Sequence, residues 1–81
     1  MSKKKKIKEL EETIEAILIA IPNEIRAYHF YKNLAEKSQG KSEKEMFEYL
    51  AMQEKLHENK LKLLLKKFHK ELENEKSKAR S

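Results

Sequence analysis

The feature that most constrains the fold is a pair of apolar stripes on either side of one short polar break. In each stripe, apolar or aromatic residues recur in alternating steps of three and four residues. This spacing puts side chains on one face of an α-helix that packs against other helices. The break, Ser-Gln-Gly-Lys-Ser at 38–42, holds the only glycine of the chain. The sequence therefore predicts an all-α chain of two amphipathic helices.

The boundaries follow from turn and capping residues. Gly40 is predicted to end the first helix in the left-handed conformation, and Ser42 with Glu45 to form a capping box for the second. Pro22 removes an amide donor, but the stripe keeps its phase through it, so we expect a kink and not a break. A short connection makes the helices antiparallel. The predicted segments are a basic tail over 1–6, a helix over 7–38, a loop over 39–42, a helix over 43–75 and a basic tail over 76–81.

The size and the wide apolar faces of this hairpin predict self-association. A core in a chain of 81 residues gives a stability of only about 3–5 kcal/mol, and oligomerisation is a natural remedy. Further apolar residues widen both stripes, which suits a four-helix bundle made by a homodimer or a higher homo-oligomer. These additional positions are Leu18, Ile25, Leu34, Ala51, Leu56, Leu63 and Leu65.

Three ionisable residues interrupt the stripes. Glu24 lies in the first, while Glu54 and His57 lie three residues apart in the second and so project from one helical face. An unpaired carboxylate costs several kcal/mol to bury and must be paired, neutralised or bound to a cation. Glu24 lies 16 residues before Gly40, and the other two lie 14 and 17 residues after it. Folding back at Gly40 therefore puts all three at one height along the hairpin.

These residues predict a metal site shared between two chains. Two copies supply four Glu and two His, which matches the donor set of helical di-iron bundles. Four carboxylates also offset the charge of two divalent cations. Carboxylate and imidazole ligands suit iron, with manganese as an alternative. A hydrogen-bonded polar network is the other interpretation. We favour metal because a third stripe residue, the Glu24 carboxylate, lies at the matching height.

Two segments carry a resemblance to a known family. Residues 24–35, EIRAYHFYKNLA, resemble the first-helix motif of rubrerythrins and ferritin-like proteins, and residues 47–57, FEYLAMQEKLH, resemble their second-helix motif. The separation of 30 residues between Glu24 and Glu54 is similar to that of encapsulated ferritins, which are two-helix proteins that pair around a di-iron site. The resemblance implies a ferritin-like four-helix bundle formed by two chains.

The resemblance also implies a ligand set and an activity. Glu24, Glu54 and His57 would bind iron, two ions per dimer, and Tyr28 or Tyr31 would line the site. The implied activity is oxidation of Fe(II) by dioxygen or peroxide. Full rubrerythrins usually add a cysteine-ligated iron module, and this chain has no cysteine, so peroxidase turnover would need an external electron donor. A non-enzymatic dimerisation or docking module is the alternative.

The remaining charges are interpreted as solvated surface. Glu58 and Glu71 are expected to be exposed. The net charge of +5 comes largely from Lys3–Lys6 and Lys76–Arg80, which we interpret as solubilising, disordered tails and not as contacts for nucleic acid or anionic lipid. The longest apolar run, Ala16–Ile21, is too short to span a membrane. With no cysteine present, we expect a cytoplasmic protein.

Overall fold

A computed structural model describes residues 2–80 as a hairpin of two long helices. Helix α1 spans Lys3–Lys37 and helix α2 spans Lys41–Arg80, with no strand between residues 2 and 80. The helices lie side by side in a rod with extents of 62 × 16 × 14 Å. Helix α1 continues through Pro22, as its uninterrupted stripe predicted. The predicted all-α hairpin is confirmed. Neither helix contains a stretch that is long and apolar enough to cross a membrane.

The core between the helices is small. Its buried apolar side chains are Leu10, Ile14, Ile17, Ala35 and Ala51. Eight large apolar side chains remain exposed, and they outnumber the buried set. These are Leu18, Ile19, Phe30, Met46, Tyr49, Met52, Leu56 and Leu63. One hairpin therefore leaves much of its apolar surface in contact with water.

The turn differs from the prediction in its backbone conformation. Gly40 does not have a positive φ angle, so the predicted left-handed helix end is wrong. Ser38 ends α1 instead, in an extended conformation with φ −73° and ψ 132°. Its hydroxyl donates to the Leu34 carbonyl over 2.7 Å, and its amide donates to the Ala35 carbonyl over 3.3 Å. These bonds satisfy carbonyls that a helix end otherwise leaves without partners.

Helix α2 begins before the predicted capping box. The Lys44 amide donates to the Gly40 carbonyl over 3.0 Å, so the helix begins at Lys41. Ser42 consequently lies inside the first turn and does not cap it. The carboxylate of Glu43 occupies the space that a Cβ atom at Gly40 would need. Gly40 thus leaves room for a side chain that folds back over the helix start.

Both helices extend beyond the predicted boundaries at their outer ends. Helix α1 begins at Lys3 and not at Ile7, because the Ser2 hydroxyl accepts a hydrogen bond from the Lys5 amide over 3.2 Å and caps the helix. Helix α2 continues to Arg80, so residues 3–6 and 76–80 are helical where disordered tails were expected. The expected tails also include Met1 and Ser81, which lie outside the described residues.

Polar contacts join the two outer ends. Lys6 Nζ and Lys78 Nζ lie 3.3 and 3.5 Å from the same oxygen, Oε1 of Glu75. Lys3 Nζ donates to the Lys78 carbonyl over 3.2 Å. The hydrogen bond from Lys6 is the main reason that the pKa of Glu75 lies below its ordinary value, although partial burial opposes this effect. The ionised Glu75 carboxylate therefore favours the hairpin.

This pair predicts a specific pH dependence. A carboxylate with a lowered pKa in the folded state stabilises the fold above its unfolded pKa, and this contribution is lost as the pH falls through the folded value. Glu75→Gln should lower the melting temperature at about pH 7 and reduce the further decrease on acidification to about pH 3. Circular dichroism melts of this variant and of Glu73→Gln, at an exposed position, make the comparison. Equal acid sensitivity of the wild type and Glu75→Gln would contradict the assignment.

Candidate metal centre

The hairpin brings Glu24, Glu54 and His57 together near the middle of its length. Glu24 comes from α1, and the other two come from successive turns of α2. One donor atom from each of the three side chains lies within 4.8 Å of the others. The convergence that the spacing around Gly40 predicted is therefore present within a single chain. These three residues are called the donor cluster below.

One carboxylate oxygen in the donor cluster lacks a hydrogen-bond donor. Oε2 of Glu24 lies 3.3 Å from Nδ1 of His57, but it is buried and makes no hydrogen bond. The same His57 nitrogen lies 3.9 Å from Oε1 of Glu54. A buried acceptor without a donor is costly and calls for an explanation, such as an ion. Carboxylate oxygens around one imidazole nitrogen have the donor chemistry that a divalent transition metal requires.

The two carboxyl groups compete for charge. The pKa of Glu54 is raised, first by a hydrogen bond with Glu24, then by burial and by the negative charge of Glu24, while His57 acts in the opposite direction. A hydrogen bond between two carboxyl groups requires a proton on one of them. When both are ionised, Oε2 of Glu24 has no donor. A cation between them would replace that proton and relieve the repulsion.

The donor cluster is open on one side. The side chains of Glu24 and Glu54 are only 25% and 21% exposed, whereas that of His57 is 57% exposed. The carboxylates therefore form the inner part of the cluster and the imidazole lies at its outer edge. A second molecule can reach the cluster from the His57 side without any rearrangement of the helices.

The two tyrosines lie on the same helix as Glu24 but do not bond to the cluster. Tyr28 is half-buried, its ring centroid lies 5.2 Å from that of His29, and Lys55 Nζ lies 5.6 Å from it. Tyr31 is also half-buried and makes an edge contact with Phe30, with centroids 5.4 Å apart. Within residues 2–80 neither hydroxyl makes a hydrogen bond to the donor cluster. The role of these tyrosines at the site stays a prediction.

Glu58 is buried, although an exposed position was predicted. It is 4% exposed, and its carboxylate lies 2.6 Å from Lys62 Nζ and 3.3 Å from Lys55 Nζ. The hydrogen bond from Lys62 is the main reason that its pKa is lowered. Glu58 follows the buried Ala51 by seven residues, and this spacing is the sequence signal that places it on the face toward α1. Because two lysines neutralise it, Glu58 remains separate from the donor cluster.

A helical hairpin with two carboxylates and one imidazole at a common height has the donor set of metal-binding helical bundles. Comparison with known families agrees. The model of the rubrerythrin family matches residues 3–81, so the chain belongs to the rubrerythrin family. The family has a ferritin-like fold and generally binds iron. No curated protein and no solved structure matches the chain.

Proposed function

We propose that two copies of this chain pair into a four-helix bundle and bind two iron ions in a shared centre, where Fe(II) is oxidised by dioxygen or peroxide. The observation that carries this proposal is the convergence of Glu24, Glu54 and His57 within 4.8 Å, with one buried carboxylate oxygen left without a donor. Membership in an iron-binding family supports iron over other divalent metals.

The need for a second copy follows from the number of donors. One hairpin offers three side chains, which are too few for two metals, whereas two hairpins offer four carboxylates and two imidazoles. His57 is the most exposed member of the cluster, and Leu50 and Leu64 lie seven residues on either side of it along the same helical face. Pairing through this face would cover the leucines and close the open side of the cluster.

The protein side chains have defined tasks in this centre. Glu24 and Glu54 would hold the metals and offset their charge, and the neutral His57 imidazole would complete each ligand set through the Nδ1 atom that faces the carboxylates. Bound iron supplies the electrons that reduce dioxygen or peroxide. The leucines around His57 would limit access of water to the closed site. Tyr28 and Tyr31 are proposed to line it, and an external donor would return electrons for repeated turnover.

Metal binding at this site should also release protons. The pKa of Glu54 is raised in the metal-free protein, mainly by its hydrogen bond with Glu24, and only ionised carboxylates are good metal ligands. The apparent affinity for a divalent cation should therefore increase as the pH rises toward neutrality. Manganese, which accepts the same ligand types, is expected to bind to the same cluster.

The test is anaerobic loading with ferrous iron, followed by metal analysis and native mass spectrometry of the same sample. The expected result is two iron ions in a species of two chains, and a ferric absorbance that grows when air or peroxide is added. Loading with manganese should give the same stoichiometry without the ferric band. The alternative, a non-enzymatic docking module, requires that chelators leave dimer and stability unchanged. A metal-free dimer after loading would reject the proposal.

A further inference from the structure

The outer ends of both helices meet at one end of the rod and form a strongly cationic surface. We define the basic pole as residues 2–8 and 76–80. It contains eight lysine or arginine residues and no acidic residue. The whole chain carries +5, so the remainder carries −3. Sequence segments that are far apart in the chain thus combine into a single surface, and the structure orders them where disordered tails were expected.

Five of these cations are not neutralised by carboxylates. Lys6 and Lys78 lie beside Glu75, and Lys76 lies 3.7 Å from Glu11. The other cationic side chains are exposed and make no ion pair within residues 2–80. They are Lys3, Lys4, Lys5, Lys8 and Arg80. Lys3 and Arg80 donate only to backbone carbonyls, which leaves their charge in place. The pole therefore presents several positive charges without internal partners.

We propose that the basic pole binds the phosphate backbone of nucleic acid, with the rod approaching end-on. A duplex carries about one negative charge per 1.7 Å of its axis, so the end of a rod 16 × 14 Å across can meet several phosphates. The turns next to the pole are acidic and disfavour a sideways approach. Their acidic residues are Glu9, Glu11, Glu12, Glu71 and Glu73.

The pole lacks the apolar side chains that an anionic membrane surface would require. Helices that lie in a membrane interface insert aromatic or aliphatic residues beside their cations. The exposed large apolar side chains of this protein begin at Leu18 and end at Leu63, and none lies in the pole. Ile7 is half-buried against the rest of the hairpin. Contact through charge alone fits a nucleic-acid backbone.

The test compares two variants of equal net charge by fluorescence anisotropy with a labelled DNA duplex of about 20 base pairs. Each variant replaces four exposed cations with glutamine. The pole variant combines Lys4→Gln, Lys5→Gln, Lys8→Gln and Arg80→Gln. The control variant, around the turn and the middle of α2, combines Lys37→Gln, Lys41→Gln, Lys44→Gln and Lys60→Gln. Circular dichroism checks that both variants keep the helical fold.

The expected results are quantitative. With about five phosphate contacts, the wild type should lose affinity by several hundred-fold between about 50 and 200 mM salt. The pole variant should weaken binding by about tenfold or more at the lower salt and reduce the slope of log affinity against log salt by about 3. The control variant should keep a slope close to that of the wild type, and iron loading should be unchanged in both.

Three results would overturn the proposal. The first is equal weakening by the control variant, which would show that net charge alone matters. The second is duplex binding that does not depend on salt. The third is capture by vesicles of phosphatidylserine at a salt concentration where the duplex does not bind. None of these depends on metal occupancy, so the outcome is separate from that of the di-iron proposal.

Discussion

Glu54→Ala is expected to abolish binding of two iron ions by the paired chains. Because the proposed site is shared, this single substitution removes two of its four carboxylates and leaves the Glu24 carboxylates and the imidazoles. Loss of residues that only orient metal ligands already weakens metal sites by about 10- to 100-fold, so loss of two direct ligands should exceed about 100-fold. Metal analysis after anaerobic loading measures the stoichiometry, and ferric absorbance measures the oxidation.

Glu48→Ala is the matched control. Glu48 lies on the same helix, six residues earlier, and is exposed. It removes one carboxylate from the chain without changing the donor cluster, so two-metal binding should remain. Retention of two iron ions per two chains in Glu54→Ala would contradict the ligand assignment, whatever the result for Glu48→Ala.

The isosteric Glu54→Gln variant adds a readout that simple misfolding would not give. The pKa of Glu54 is raised in the hairpin, mainly by its hydrogen bond with Glu24, so the ionised form is disfavoured in the metal-free fold. A carboxyl group with a raised folded pKa reduces stability above that pKa. Metal-free Glu54→Gln should therefore melt at a higher temperature than the wild type near neutral pH, while it fails to bind iron. This combination is typical of a residue retained for function and not for stability.

The hairpin and the donor cluster could be predicted because each depends on spacing alone. Steps of three and four residues determine the helical face, and equal distances from the break determine which residues lie at the same height. Glu24 and Glu54 meet because both counts agree with the position of the turn. No side-chain detail enters this argument, and the convergence within 4.8 Å confirms it.

Other features depended on contacts that sequence spacing does not determine. Gly40 was assigned a left-handed conformation from its residue type, but the space taken by the Glu43 side chain explains a glycine there without it. Glu58 was assigned to the surface because it is charged, although lysines three residues before it and four after it cover and neutralise it. The outer ends were expected to be disordered from their charge, whereas Glu75 on the opposite helix pairs with Lys6.

The exposed apolar surface links the stability of the hairpin to the completeness of its metal site. Leu50, His57 and Leu64 follow one another at intervals of seven residues and therefore share a helical face. His57 is 57% exposed in the single chain, and the leucines beside it are half-buried. If the proposed pairing covers this face, the same contact buries the leucines and brings the second set of ligands. Disrupting the apolar contact should then remove metal binding without changing a ligand.

Leu64→Lys is expected to separate the proposed dimer and to abolish two-metal binding, although Glu24, Glu54 and His57 all remain. A buried, unpaired charge costs several kcal/mol, so the dimer dissociation constant should rise by about 100-fold or more. Met52→Lys introduces the same charge at a position 56% exposed and roughly 140° around the helix from His57, so it should leave dimer and metal binding unchanged. Analytical ultracentrifugation and metal analysis, with circular dichroism as a check of helicity, distinguish the two variants. A folded, monomeric Leu64→Lys variant that still binds one iron per chain with wild-type affinity would mean that the second copy contributes nothing to the site.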